Sequence, residues 1–560
     1  MNIKIQFLVT LFVIIVPIAC RTPYPEKKPS GGYSNSTTSA GTPAQHKAAG
    51  ISCFKKGMME EALDELKLAA EGIQGDGELH HYLGKSYYEK DKIDDAIAEL
   101  LAALSYYKPD QTTERADVYN DLGLAYKRKN AYTESLSAFQ ESLVLNPSAA
   151  DTNYNLALLY YDKKMLDEST LYLKKAIKLD PKEADAHFML GLIYYKKKLN
   201  DKAIGEFRQT IELNPKDAES HNYLGLMYYE QGDLEKSVIE HKSAIQWDKN
   251  YTEAYNNLGI ALYAEGNFNE AEDAFKKVLE LDPNFAEAHY NLGLVYSEEG
   301  KSEDAVTSLE KALKLNPKIA EAYFKLGEVY TKRDMLEEAL SEYKKAIDIK
   351  PDYAEAYYNS GELYAAKGKH DKSIAAWKKT IELNPKNADA CFNLGVAYFN
   401  QNKLDKAISM WKKVLEINPS DYDTMSSLAD AYDMQALTDK AIHMWEKIIE
   451  IYPEQAETQN KLGNAYARKN MYTTAIPYWE KAVEIDPRLV DAYYNLGLVY
   501  QKIGRRDEAI EAYKKVLDIN PDDMDVHKNL GLLYGEKGMH VEAEFEFSIY
   551  KKLKLMQGHK

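Results

Sequence analysis

The chain repeats itself every 34 residues. Ala286 to Ile319, AEAHYNLGLVYSEEGKSEDAVTSLEKALKLNPKI, is one period, and Gly293 inside it serves as an anchor. Steps of 34 from Gly293 land on positions 123, 157, 191, 225, 259, 327, 361, 395, 429, 463, 497 and 531. Gly50 and Gly84 are also 34 apart, and the step from Gly84 to Gly123 is 39, so fifteen units contain one insertion of five residues. A unit this short buries its apolar face only by stacking on its neighbours. The period therefore predicts an all-α solenoid of stacked antiparallel helix pairs.

The residues inside one period say how such a pair is built. Thirteen of the fifteen anchors are Gly, the others being Ala157 and Ala429, and twelve residues later stands Ala or Ser in every unit. Small residues at both points let two helices approach closely. Three after the anchor, thirteen units have Tyr, with Cys53 and Leu262 as exceptions. Seven after it, Gly occurs seven times and Asn or Asp five times, which suits the positive φ of a helix end. Twenty-four after it, Pro occurs eleven times, as at Pro317, where it stops the second helix before the next unit begins.

The run L-G-x2-Y, the small residue twelve after the Gly and the late Pro, held in register over 43–557, resemble the tetratricopeptide repeat family. The first unit, Pro43 to Asp76, is the weakest match, lacking the Leu before Gly50 and the late Pro. The resemblance implies a right-handed superhelix whose first helices line the concave side.

Within that frame, composition excludes classes of partner. A hydrophobic share of 45% and a charged share of 28% suit a helical protein in water, and a formal charge of -17 disfavours nucleic acid or bare anionic membrane. Cys20, Cys53 and Cys391 lie too far apart for a zinc or disulfide spacing. Residues 1–20 read as a targeting segment: Lys4, an apolar run from Ile5 to Ala19, then Cys20. The end, Val16-Pro17-Ile18-Ala19-Cys20, resembles a bacterial lipobox, with Pro17 where Leu is usual. It implies lipidation at Cys20 and a place in the bacterial cell envelope, outside the cytoplasm. An ordinary secretory signal and an uncleaved anchor are the alternatives. Residues 21–42, rich in Pro, Ser, Thr and Gly, read as a disordered tether with a reach of ~70 Å at ~3.3 Å per residue.

Three irregularities carry expectations. The insertion around Pro109 to Glu114 should lengthen the loop between units two and three and offset the first two units. Pro477, inside a second helix, should remove a backbone hydrogen bond and bend it. The lysines of the last helix should give it a solvated outer face. Leader, tether, repeats and the tail 558–560 leave no stretch for a catalytic domain, such as glycosyltransferase members of the family carry.

The repeats themselves show no HExxH, GxSxG or phosphate-binding Gly loop. Six of twelve His (His46, His80, His187, His221, His289, His527) share the position four before the anchor, where Tyr is the common alternative. That is a packing position, so no metal, cofactor, small-molecule substrate or enzymatic activity is expected. Trp377, Trp411, Trp445 and Trp479 stand sixteen after their anchors and read as core or groove-wall residues.

The first helices carry the informative pattern. Six before the anchor every unit after the first has an acid, among them Glu253, Glu287, Glu355 and Asp389. Two before it seven units have Asn: Asn155, Asn257, Asn291, Asn359, Asn393, Asn495 and Asn529. Positions i and i+4 share a helix face, so stacking turns them into two parallel ladders. An amide offers donor and acceptor to a peptide backbone, and carboxylates favour polar or basic side chains. The ladders resemble those of the family's glycosyltransferases and imply a peptide groove. Against this, an acid in a first helical turn is also stabilised by the helix dipole. The sequence thus points to a non-enzymatic, membrane-anchored scaffold binding an extended protein segment. A self-assembling structural role, or service as an accessory subunit of a secretion or envelope enzyme complex, is the alternative.

Overall fold

In a computed structural model of the protein, residues 41–557 are described. They form thirty α-helices and, among these described residues, no strand. The leader, Cys20, the tether up to residue 40 and the tail 558–560 lie outside the described residues. The chain divides into two compact units, one ending at Pro317 and one beginning at Lys318.

In the first unit, eight helix pairs follow one another from Pro43 to Leu315. The entry is fixed by a capping box, with the Thr42 side chain accepting from the Gln45 N–H and the Gln45 side-chain oxygen accepting from the Thr42 N–H. A typical pair is Ala184–Lys196 with Asn200–Leu213. The anchor glycine does more here than permit close approach: a Cβ built on Gly191 would sit 2.8 Å from the Phe207 ring. The missing side chain is a slot, and the residue sixteen later fills it. Leu66, Leu100, Phe139 and Phe275 occupy the same slot over Gly50, Gly84, Gly123 and Gly259. Where the residue twelve after the anchor is Ser, it can also tie the helices together. Ser135 and Ser169 donate to the carbonyls of Gly123 and Ala157, at 2.7 and 2.8 Å.

Stacking of one pair on the next runs through a second buried position, nineteen after the anchor, which is Ala, Ser or Thr in all pairs of this unit except at Val278. Ala69, Ala103, Ser142, Thr210 and Ala244 there are fully buried. The five-residue insertion lengthens the loop, as the sequence suggests, but only by one residue, to 107–111, and goes mostly into the helix that follows. It adds a helical turn, so that Thr112–Arg128 has 17 residues where other first helices of this unit have 13 or 14. Thr112-Thr-Glu-Arg contains no helix breaker, and Pro109 stays in the loop ahead of it.

The second unit repeats this construction in seven pairs from Ala320 to Gln557. Its slots take larger residues: Tyr343 over Gly327, Trp377 over Gly361, Trp479 over Gly463 and Tyr513 over Gly497. Pro477 does not interrupt its helix, Tyr472–Ile485, which keeps the usual 14 residues with Pro477 on its exposed side. In the last pair the pattern is broken. Tyr550 stands where the other pairs of this unit bury Ala, Thr, Val or Ile, Leu555 replaces the stopping Pro, and the helix runs on for 18 residues, His540–Gln557. Its outer face is only partly what the lysines suggest, because Val541, Phe545, Leu555 and Met556 remain exposed beside Lys551, Lys552 and Lys554.

Turns between the two helices of a pair share one backbone state. The seventh residue after every anchor has positive φ, and in three pairs it is Lys164, Lys198 or Ala436 rather than Gly, Asn or Asp. Pair geometry therefore dictates the left-handed residue even where the side chain opposes it.

Candidate functional site

The seven asparagines of the ladder all do the same thing. Each donates its Nδ2 to the preceding helix pair. Asn155, Asn257 and Asn291 donate to the Oδ1 of Asn120, Asn222 and Asn256 at 3.0, 3.1 and 3.1 Å. Asn359, Asn393 and Asn529 donate to the hydroxyls of Tyr343, Tyr358 and Tyr513 at 3.3, 3.4 and 3.2 Å. Asn495 donates to Asn464 Oδ1 at 2.8 Å. Where the position is not Asn, the same crossing can be ionic: Asp121 accepts from His81 at 2.7 Å, and Lys461 pairs with Asp430 at 2.9 Å. The row thus fastens neighbouring pairs. What an Asn retains for a bound segment is its Oδ1 acceptor and the second N–H of its Nδ2.

Access separates the two units. Asn155, Asn257 and Asn291 are buried, whereas Asn359, Asn393, Asn495 and Asn529 are half-buried. Glu253 and Glu287 are half-buried, and Glu355 and Asp389 are exposed. All four acids lie in a first helical turn, where the dipole stabilises a carboxylate whatever else it does.

The histidines are packed, as their position implies, but five of six also hold a carboxylate. His46, His80, His187, His221 and His527 place Nδ1 2.5–2.7 Å from Glu65, Glu99, Glu206, Glu240 and Glu546 on the second helix of the same pair. The sequence signal was a Glu nineteen residues downstream, absent only for His289, where that residue is Ser308 and the imidazole Nε2 lies 3.2 Å from the Pro283 carbonyl instead. For His221, burial pushes the imidazole pKa down, but the Glu240 carboxylate and the Pro215 carbonyl more than offset it and the net shift is upward. His241 behaves oppositely. It fills the slot over Gly225, is fully buried, has no partner for either ring nitrogen, and burial pushes its pKa down to about 3.

The tryptophans divide four to one. Trp377, Trp411, Trp445 and Trp479 are slot residues in the core, while Trp247 is 42% exposed, with the Lys216 ammonium 5.3 Å from its ring. Among the described residues there is no cluster of three or more His, Cys, Asp or Glu able to hold a metal, and no helix long and apolar enough to cross a membrane.

Paired helices, anchor slots and stacked neighbours define an α-solenoid of helical repeats. The chain belongs to the tetratricopeptide repeat family: models of that repeat match residues 83–421 and 463–523, with single repeats matched at 252–285, 286–319, 388–421 and 490–523. Among solved structures, a crystal structure of MamA is 37% identical over 29% of this chain and 95% of its own, with a TM-score of 0.28. YrrB, described as a TPR protein with an unusual peptide-binding site, is 28% identical over 33% of this chain and 95% of its own, TM-score 0.29. The Cut9-Hcn1 structure is 15% identical over 82% of this chain and 96% of its own, TM-score 0.32. No curated protein sequence matches the chain.

Proposed function

We propose that the protein is a non-enzymatic scaffold that binds an extended protein segment along its first helices, held at the bacterial envelope through a lipid on Cys20. The observation that carries the binding reading is repetition on an accessible side. Glu355, Asp389 and Asp423 are exposed one period apart, and Asn359 and Asn393 beside them are reachable. An extended backbone, itself periodic, is the ligand such a row can grip along its length. The anchoring rests on the apolar run ending in Ala19-Cys20.

The test is a pull-down from envelope extract with the full repeat region, comparing wild type with a variant in which Asn359 and Asn393 are Ala. Loss of a partner at unchanged helicity supports the reading, and retention of every partner refutes it. Metabolic labelling with a palmitate analogue tests the anchor, because Cys20→Ala should abolish incorporation.

Self-assembly has one observation in its favour. Val541, Phe545, Leu555 and Met556 leave an apolar strip exposed on the last helix. Concentration-dependent oligomers lost on Phe545→Glu would support it.

A further inference from the structure

Three consecutive first helices of the second unit differ from the others in charge. Ala354–Ala366, Ala388–Asn400 and Tyr422–Met434 contain no Lys, Arg or His, whereas the four other first helices of that unit each contain at least one. Glu355, Glu362, Asp389 and Asp423 are exposed on them, and only Glu362 accepts a side-chain hydrogen bond, from the Tyr358 hydroxyl at 2.8 Å. On the third of these helices Asp430 and Asp433 are already neutralised, by Lys461 and Arg468, which leaves Glu355, Glu362, Asp389 and Asp423 as the acids without a cation. The stretch is therefore an uncompensated anionic face with half-buried Tyr358 and Phe392 between its carboxylates.

A second observation falls on the same three pairs. Trp377, Trp411 and Trp445 are at most 5% exposed, and their indole N–H groups have no acceptor. Their direction is set by the slot. In the Gly361 pair the Trp377 Nε1 lies against the first helix, 2.6 Å from where a Cβ on Gly361 would be. In the pair that follows these three, Trp479 reaches past its anchor to Asn464 Oδ1 at 3.0 Å, one residue after Gly463. The equivalent positions here are Glu362, Val396 and Asp430, so the unsatisfied donors of Trp377 and Trp411, held against Gly361 and Gly395 as Trp479 is against Gly463, face the floor of the anionic face, and Trp445 takes the same place over Ala429. A buried donor without an acceptor is costly, and an acceptor brought to that floor relieves it.

We propose that this face, within the groove reading above and resting on it, selects an extended segment rich in Lys or Arg. The cationic side chains pair with Glu355, Asp389 and Asp423, and the backbone carbonyls supply acceptors to the indole floor. Charge-assisted pairs of this kind set selectivity and salt dependence.

The full chain is titrated by calorimetry with Gly-Lys, Gly-Glu and Gly-Ser repeat peptides of equal length, with the tryptophans fluorinated for parallel fluorine NMR. The Gly-Lys peptide should bind at least tenfold more tightly than the others and lose that advantage at high salt. The exposed, isosteric triple change Glu355→Gln, Asp389→Asn, Asp423→Asn should remove the preference. Three indole resonances should move, with those of Trp247 and Trp479 fixed. Equal affinity for Gly-Lys and Gly-Ser, or an unaffected triple variant, overturns the cationic selectivity while leaving a peptide groove standing. Binding without indole movement overturns the floor contact. No binding by any peptide overturns the proposal and the groove reading together.

Discussion

His241→Phe should stabilise the protein, and by an amount that grows as the pH falls. The side chain sits in the slot over Gly225, which Phe139, Phe207 and Phe275 fill over their own glycines. Neutral His241 leaves both ring nitrogens unpaired in the core, and each unpaired buried group costs ~1–3 kcal/mol. Phe removes both and matches the neighbouring pairs. The pH term adds to this. With a pKa of about 3 in the folded chain against 6.5 unfolded, the unfolded state binds the extra proton between those values. Stability is therefore complete above 6.5 and is lost as the pH falls through that window. Linkage gives a loss of about 2 kcal/mol at about pH 5 and about 4 kcal/mol near pH 3. A solenoid unfolds locally, so the assay is native-state hydrogen exchange of Ala218–Glu230 and Leu234–Trp247, corrected for intrinsic rates. The protection gained by the variant should rise by about 2 kcal/mol between about pH 7.5 and about pH 5. A pH-independent difference, or a variant less stable at both values, refutes the reasoning.

Five further outcomes follow from the same geometry. Ala436→Gly, at φ 58°, should gain roughly 0.5–1 kcal/mol in denaturant titration, and Gly266→Ala should lose about 1 kcal/mol, because only Gly is relaxed there. Gly361→Ala drives a Cβ into the Trp377 indole and should cost ~1–3 kcal/mol with a blue or red shift in tryptophan emission. Pro477→Ala restores a helical N–H on an exposed face and should gain ~1–3 kcal/mol, read as a higher thermal midpoint of the second unit. Glu240→Gln should lower the His221 pKa measured by NMR. The stability this pair gives is present below the unfolded pKa of 6.5 and lost as the pH rises through the raised folded value, so the variant should be weaker only on the acid side.

The sequence carried the architecture because every unit states it again. Anchor, small residue, turn residue and Pro are local requirements of one helix pair, and the 34-residue register alone locates all of them. What a single position does inside the stack was less legible. The Asn ladder read as groove lining, since a helix wheel puts it on one face. That its Nδ2 is donated to the preceding pair depends on the side chain one unit back, Asn222 or Tyr358, which periodicity does not reveal. The insertion misled for a related reason: residues added before a helix can join it, and Thr112-Thr-Glu-Arg does. The His–Glu pairs were readable from their spacing of nineteen, but the position's alternation with Tyr drew attention to packing instead.

The most direct test of segment binding along the first helices is photocrosslinking in intact cells. A crosslinking amino acid replaces exposed Glu355 or Asp389 on first helices, or exposed Lys378 or Lys412 on the second helices of the same pairs. The account predicts a common crosslinked protein at 355 and 389, mapping to one linear segment of it, and none at 378 or 412. Crosslinks confined to 378 and 412 would contradict it.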